Sequence, residues 1–290
     1  MTMSSPLDLS THAQAMPRLR QAAILYHPMR PRAHEEATWL QGELEQAGVR
    51  TLLADGWQDG IVEQICKDQD LVVAFGGDGT IIRVTRLAAS QQVPILGVNL
   101  GRIGFLAEIT PDLLHGRVEA LVEGKFWLER RSLLEAEWLR GGESFRYTCV
   151  NEVAVARGPA PRAVQVRTFL DGEEFIVYTA DGVLVATATG STAYSLAAGG
   201  PILYPESPDF LITPVAPHLH IGRSVIVPGD STVTLQADSE RPAVMSVDGQ
   251  DERSLGPGDV VNVRRSELFA TFVRMGPRHY FYDALADRLR

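Results

Sequence analysis

The sequence predicts an α/β domain with a parallel sheet, followed by a β-rich, sandwich-like domain. Between residues 22 and 125, short apolar runs alternate with segments of helical periodicity, the pattern of strand–helix–strand units. From about residue 126 the helical periodicity ends, and apolar strands separated by Gly, Pro and Asp follow one another. The pattern at 283–290 is helical again and suits the first domain, so we expect the chain to return there.

The 290 residues are enough for two sizeable cores. We assign 17–125 and about 276–290 to the α/β domain and 126–275 to the β-rich domain. Residues 1–16 have neither the basic start nor the continuous apolar core of a signal peptide, and we expect a flexible tail.

The α/β domain is expected to be Rossmann-like. Its strands are predicted at 22–26, 49–53, 71–75 and 93–98, and its helices at 34–47, 61–67, 81–89 and 111–123. Ligands of such sheets bind beyond the carboxyl ends of the strands. The bend at 76–80 and the turn at 99–101 both fall there, so we expect them to meet at one edge.

The β-rich domain is predicted from alternation and turn signals, with Asp171-Gly172 as the strongest hairpin signal. Its predicted strands are 132–140, 144–156, 164–170, 174–179, 232–237, 243–247, 260–265 and 269–273.

Composition limits the classes of function. The net charge of -9 argues against binding of nucleic acid or of an anionic membrane by the whole surface. No apolar run approaches the roughly 20 residues that a membrane helix needs. Cys66 and Cys149 form no metal-like spacing and no disulfide framework, which suits a reducing cytoplasm. His218 and His220 lack a third ligand, so we predict no zinc site.

The Gly-Gly-Asp-Gly-Thr bend at 76–80 lies between a strand and a helix. Glycines let the backbone turn sharply and remove side chains from a surface that a phosphate could approach. The carboxylate of Asp78 would repel phosphate unless it holds a metal or accepts a proton from a nucleophile. The alternative is an ordinary tight turn in which Asp78 caps the helix.

Three further stretches are polar where a strand or a turn is expected. Asn151 and Glu152 interrupt an apolar strand, and they either bond to neighbouring backbone or point into a ligand cavity. The hydroxyl-rich stretch 187–195 around Gly190 fits close approach to a ligand, and the missing Gly-x-Ser-x-Gly excludes a serine hydrolase of that type. The acidic turn at 248–251 is expected to be a solvated hairpin.

Together these motifs resemble the bacterial-type NAD kinases, the ATP- or polyphosphate-dependent NAD kinase family. The likeness includes the 76–80 bend, the 99–106 run, Asn151-Glu152 and Asp181-Gly182. It also includes the stretch from 189 to 201 and the turn at 248–250. One departure is Ala188, which stands where the family usually has proline. This change relaxes the backbone but removes no ligand group.

The resemblance implies transfer of the terminal phosphoryl group of ATP, or of polyphosphate, to the 2′-hydroxyl of the adenosine ribose of NAD. It implies Asp78 as general base, Asn151 and Glu152 at the adenosine, and Asp181 at the nicotinamide end. The phosphate loop would be Gly76, Gly77, Asp78, Gly79 and Thr80. The other NAD-binding positions would be Arg83, Arg162, Thr189, Thr192, Ala193, Tyr194, Ser195, Leu196, Ala197 and Gln250.

The resemblance also implies Mg²⁺ brought with the donor, without fixed protein ligands, and NADP as product and inhibitor. It implies a homodimer or homotetramer. A lipid kinase would need an apolar channel, which the sequence does not indicate, and a non-catalytic sensor would fit better if Asp78 were replaced. A dinucleotide oxidoreductase is disfavoured because the first strand–turn lacks Gly-x-Gly-x-x-Gly.

Overall fold

The structure, a computed structural model, describes residues 17–101, 104–107, 109–159, 162–218, 222–237 and 242–289. The predicted tail at 1–16 and His220 lie outside this part. None of the described helices combines the length and the apolar character needed to cross a membrane.

The first part of the chain forms a parallel sheet in the order β2-β1-β3-β4. Its strands are β1 (Gln21–Tyr26), β2 (Arg50–Asp55), β3 (Leu71–Phe75) and β4 (Ile95–Val98). The connecting helices are α1 (Pro31–Gln46), α2 (Asp59–Cys66) and α3 (Asp78–Ala88). All five residues of β3 are buried, as expected of a strand covered on both faces.

The helix predicted at 111–123 is wrong as a single element. The chain forms two short helices, α4 (Pro111–His115) and α5 (Val118–Val122), separated by Gly116 and Arg117. Glycine is a poor helix former, and the Arg117 guanidinium donates a hydrogen bond to the Met275 carbonyl at 3.3 Å.

The remaining strands form two facing layers. In chain order the elements are β5 (Trp127–Arg140), β6 (Glu143–Cys149), β7 (Glu152–Arg157), β8 (Val164–Leu170), β9 (Glu173–Ala180), β10 (Gly182–Ala186), α6 (Tyr194–Ala197), β11 (Phe210–Val215), β12 (Val225–Val227), β13 (Thr232–Ala237), β14 (Ala243–Val247), β15 (Asp251–Leu255), β16 (Val260–Arg274) and α7 (Tyr280–Leu289). One sheet is antiparallel with the order β12-β11-β10-β7-β14-β15. Between the layers lies a core that includes Trp138, Tyr178, Phe210 and Met245.

The other layer is a continuation of the parallel sheet. β16 pairs in parallel with β4 at Phe272 and Ile95, and antiparallel with β5 and β13. The two strands predicted at 260–265 and 269–273 are therefore one strand, and its register against β5 shifts between Arg265 and Phe269. The shift explains the break in the sequence pattern, since a bulge inverts the alternation of faces.

The strand predicted at 144–156 is two strands, because the chain changes sheets at Val150 and Asn151. β6 pairs with β5 in the larger sheet, whereas β7 pairs with β10 and β14 in the smaller one. β11 was not predicted, since five of its six residues are buried and the strand shows no alternation.

The C-terminal helix α7 returns to the first part of the chain, as predicted. The Phe281 ring lies 6.1 Å from that of Phe105, which follows β4. The α/β layer joined to a β sandwich confirms the predicted fold class. The boundary at residue 126 stays a prediction.

Candidate active site

The bend at 76–80 is shaped by two close approaches of the backbone. The Gly76 amide donates to the Val98 carbonyl at 3.0 Å, which joins the ends of β3 and β4. A Cβ on Gly76 would lie 2.5 Å from Cβ of Thr80, so a side chain does not fit there. The bend places Asp78 as the first residue of α3.

Asp78 faces the loop that follows β4. A Cβ on Gly104 would lie 2.6 Å from Cγ of Asp78, so Gly104 packs directly against the carboxylate. In the same loop the Gly101 amide donates to Oδ1 of Asn99 at 3.0 Å. The two bends expected at one sheet edge do meet there, and Asp78 of the first bend lies against Gly104 of the loop that follows β4.

The turn at Asn151 and Glu152 is held by the carboxylate of Asp248. Oδ1 of Asp248 accepts hydrogen bonds from the amides of Val150, Asn151 and Glu152 at 3.1, 2.7 and 3.3 Å. The Cys149 thiol also donates to Oδ1, at 3.2 Å. The prediction of a solvated hairpin turn at 248–251 is wrong for Asp248, which is 9% exposed. This carboxylate replaces the ladder bonds that the backbone loses where it changes sheets.

Burial raises the pKa values of three groups in this region. The pKa of Glu152 is raised to about 7, first by burial and then by the neighbouring Asp248. Burial also raises the pKa of Asp248, against the opposing effect of the amides that donate to it. The Cys149 thiol has a pKa well above its usual value because of burial and then the charge of Asp248. The Asn151–Glu152 turn is therefore an environment of low polarity with two carboxyl groups.

The hydroxyl-rich loop packs against the same turn. The Thr187 amide donates to the Asn151 carbonyl at 2.8 Å, and the Thr187 hydroxyl donates to the Val150 carbonyl at 2.7 Å. A Cβ on Gly190 would lie 2.9 Å from Cα of Asn151, so this contact requires glycine. The loop and the turn form one unit.

Several hydroxyl groups of this loop have structural partners. Ser195 Oγ lies 2.9 Å from the Thr213 hydroxyl, and Thr192 Oγ1 donates to the Thr189 carbonyl at 3.0 Å. Tyr194 begins the short helix α6, which also contains Ser195, Leu196 and Ala197, and its side chain is 48% exposed. Tyr194 is the aromatic ring of this loop that is open to a ligand.

The hairpin at 248–251 joins this unit to the helix that begins at Asp78. The side-chain amide nitrogen Nε2 of Gln250 donates to the Gly79 carbonyl at 3.0 Å. Asp251 forms an ion pair of 2.6 Å with Arg86, which also belongs to α3. The structure thus brings the 76–80 bend, the Asn151–Glu152 turn and the 187–195 loop together around the hairpin.

Three of the predicted positions have other surroundings. Arg83 forms an ion pair with Asp59, and its guanidinium lies 5.0 Å from the Trp57 ring centre. Asp181 is paired with Arg157 at 2.9 Å between β9 and β10. Arg162 is exposed, next to residues outside the described part. Their contacts to a ligand stay predictions.

A buried ionic cluster borders the site and was not predicted. It consists of Glu129, Arg131, Arg274 and Tyr280, and we call it the Glu129 cluster. Burial raises the pKa of Glu129, but the two guanidiniums and the Tyr280 hydroxyl outweigh it and hold the pKa at about 2. The sequence does contain one indication of this cluster. Glu129 and Arg131 carry opposite charges two residues apart, just before the strand predicted from residue 132.

Comparison with family models matches most of the chain. The ATP-NAD kinase N-terminal domain matches residues 11–126, and the ATP-NAD kinase C-terminal domain matches residues 150–275. The chain is 38% identical over 273 residues to an NAD kinase of Dehalococcoides mccartyi, with 93% of this chain and 96% of the relative covered. It is 40% identical to an NAD kinase of Chloroflexus aurantiacus, with 94% and 99% covered.

Solved structures of the same fold include the yeast NADH kinase complexed with NADH. Its TM-score is 0.83 at 26% identity, and the match covers 94% of this chain and 89% of that chain. An NAD kinase from Archaeoglobus fulgidus in complex with ATP has a TM-score of 0.76 at 24% identity, with 92% and 97% covered. The matches to both family domains, and the near-complete coverage of relatives at 38% and 40% identity, place this chain in the ATP-NAD kinase family.

Proposed function

We propose that this protein transfers the terminal phosphoryl group of ATP, or of inorganic polyphosphate, to the 2′-hydroxyl of the adenosine ribose of NAD. The product is NADP. The observation that carries the proposal is the 248–251 hairpin, because Gln250 contacts Gly79 beside Asp78 while Asp248 holds the Asn151–Glu152 turn. One hairpin thereby links the Asp78 bend to the turn that we propose to bind the nucleoside.

Asp78 acts as the general base in this proposal. The ribose oxygen attacks the terminal phosphorus, the bond from that phosphorus to the bridging oxygen of the donor breaks, and the hydroxyl proton passes to the carboxylate of Asp78. A ribose hydroxyl is far less acidic than a carboxyl group, so Asp78 orients the hydroxyl and takes its proton late in the transfer. Its place at the first turn of α3, against Gly104, fixes the direction of the carboxylate.

The remaining predicted residues would bind the dinucleotide and the donor. Asn151 and Glu152 would hold the adenosine, and Asp181 the nicotinamide end, with Tyr194 stacking on a ring of NAD. The amides of Gly77 and Gly79 would face phosphate, since amides at a helix start bind anions well. Arg83 would reach a phosphate only after leaving its ion pair with Asp59.

Mg²⁺ is proposed to arrive with the phosphates of the donor. Among the described residues, no group of three or more His, Cys, Asp or Glu side chains is arranged to hold a metal ion. Mg²⁺ commonly keeps several waters and binds through substrate phosphates, so we propose no fixed protein ligand for it. When bound, the ion neutralises charge on the transferring phosphates.

The test is NADP formation from NAD and Mg²⁺ with ATP and with polyphosphate in parallel. Asp78→Asn is expected to lower the rate by roughly 10²–10⁴-fold, the usual contribution of a general base. Asp112→Asn, at a side chain that is 83% exposed in α4, is the matched control and should retain the wild-type rate. A normal rate in Asp78→Asn would remove Asp78 from the mechanism, and NAD binding without NADP formation would favour a sensor.

We also propose a homodimer or homotetramer, a cytoplasmic location and inhibition by NADP. The edge strand β12 exposes 53% of Ile226, which is compatible with association through this sheet. Product and substrate share one dinucleotide site, so NADP should compete with NAD. Light scattering of the purified protein tests the oligomeric state, and product-inhibition kinetics test the inhibition by NADP.

A further inference from the structure

Arg131 connects two loops that border the site. Its side chain is 2% exposed and its Nε donates to Glu129 Oε2 at 2.9 Å. Nη1 donates to the Thr189 hydroxyl at 3.3 Å, and Nη2 donates to the Phe105 carbonyl at 3.3 Å. Thr189 belongs to the hydroxyl-rich loop, whereas Phe105 follows Gly104 in the loop that packs against Asp78. One guanidinium therefore bonds to both walls of the site.

A second guanidinium strengthens the hold on the loop beside Asp78. Arg274, at the end of β16, donates to the Leu106 carbonyl at 2.9 Å and to Glu129 Oε2 at 2.6 Å. Arg131 and Arg274 thus share one carboxylate and bond to successive carbonyls of the same loop. This sharing fixes their positions relative to each other.

Tyr280 completes the cluster from the C-terminal helix. Its hydroxyl donates to Glu129 Oε1 at 2.7 Å and accepts from Arg131 Nη2 at 2.9 Å. Docking of α7 and the orientation of Arg131 are consequently linked through one oxygen atom.

We propose that Arg131, oriented by Tyr280, is a positioning residue that fixes the 104–107 loop and the hydroxyl-rich loop relative to each other for phosphoryl transfer. A buried ionic group adds little net stability over apolar packing of the same volume, whereas its directional bonds define geometry. A hydroxyl acceptor must lie within a fraction of an ångström of its attacking position. The inference rests on the proposed function for its catalytic consequence, but the coupling of the two loops is measurable without substrates.

Tyr280→Phe is the test variant, because it removes only the hydroxyl that orients Arg131. Tyr282→Phe is the matched control, since this neighbour on α7 is 58% exposed and lies outside the cluster. Hydrogen exchange of the ligand-free protein should be faster at both 104–107 and 189–192 in Tyr280→Phe, and unchanged in Tyr282→Phe. Unchanged exchange at either loop in Tyr280→Phe would overturn the coupling.

Steady-state kinetics test the catalytic consequence. Tyr280→Phe should lower kcat by roughly tenfold and leave KM for NAD almost unchanged. The expected loss is smaller than the roughly 10²-fold loss in rate that a misplacement of about 1 Å can cause. A lower melting temperature with a wild-type kcat would reduce the cluster to a structural role and overturn the positioning claim. If the wild type forms no NADP, the proposed function fails, while the exchange result still decides the coupling.

A double-mutant cycle identifies Arg131 as the connection. Thr189→Val removes the acceptor of Nη1, and the pair Tyr280→Phe with Thr189→Val should lower kcat by less than the product of the single effects. Effects that multiply would show that Tyr280 and Thr189 act independently, against the proposal.

Discussion

Replacing Glu152 by glutamine should make the ligand-free protein more stable at neutral and alkaline pH. The folded protein raises the pKa of this carboxyl group from 4.5 to about 7, because the group is buried and lies near Asp248. Well below pH 4.5 the group is protonated in both the folded and the unfolded chain, so it does not change the free energy of unfolding. As the pH rises through about 7, the folded protein must bury a charge that the unfolded chain exposes to water.

The size of the effect follows from the shift in pKa. A rise from 4.5 to about 7 corresponds to about 3 kcal/mol of unfolding free energy, lost progressively between these two pH values. Glutamine has nearly the same shape and no charge to bury. The stability of Glu152→Gln relative to wild type should therefore be near zero at pH 4.5 and increase towards about 3 kcal/mol at pH 8.

Urea unfolding of both proteins across this pH range measures the difference. Glu252→Gln is the control, because Glu252 lies nearby in β15 with an exposed side chain. Parallel stability profiles for wild type and Glu152→Gln would refute the reasoning, since the carboxyl group would then titrate as it does in the unfolded chain. We expect the same variant to bind NAD more weakly, so that stability and binding change in opposite directions.

Two further variants test contacts within the site. Gly104→Ala places a Cβ 2.6 Å from Cγ of Asp78, and kcat should fall by about 10²-fold, whereas Gly101→Ala should retain the wild-type kcat. An unchanged kcat for Gly104→Ala would mean that Asp78 need not keep its position. Asp248→Ala leaves the amides at 150–152 without their acceptor and should lower the unfolding free energy by about 3 kcal/mol, measured with urea. A loss below about 1 kcal/mol would contradict the role of this carboxylate.

The glycine bend and its meeting with the following loop could be predicted from sequence, because both depend on local rules. Successive glycines between a strand and a helix indicate a tight turn. The ends of parallel strands share one edge of the sheet, which brought the bend at 76–80 and the turn at 99–101 together. The family motifs then indicated which further stretches should join them.

The role of Asp248 could not be predicted from its own surroundings in the sequence. An Asp-Gly pair between two strands indicates an exposed hairpin, and the backbone amides that bind this carboxylate lie almost 100 positions earlier. Their need for an acceptor arises only because the chain changes sheets at Val150 and Asn151. Strand periodicity alone does not reveal such a change.

The Glu129 cluster was hidden for a related reason. Charged residues next to a predicted strand indicate that the strand has not yet begun, so β5 was predicted from residue 132 instead of Trp127. Besides the neighbouring Arg131, the partners of Glu129 are Arg274 and Tyr280, which lie 145 and 151 positions later. Pairing at this distance in sequence is a property of the whole fold.

The long strand β16 makes the two halves of the chain poor candidates for separate expression. A fragment ending near residue 125 would contain β4 without the strand that pairs with it at Phe272, and would expose an apolar sheet edge. We expect such a fragment to aggregate. A fragment that begins near residue 126 would keep the pairing of β16 with β5 but leave the edge of β16 that faces β4 uncovered. Since β16 crosses from one half to the other, a rotation of the two halves against each other would have to break the pairing of β16 with β4.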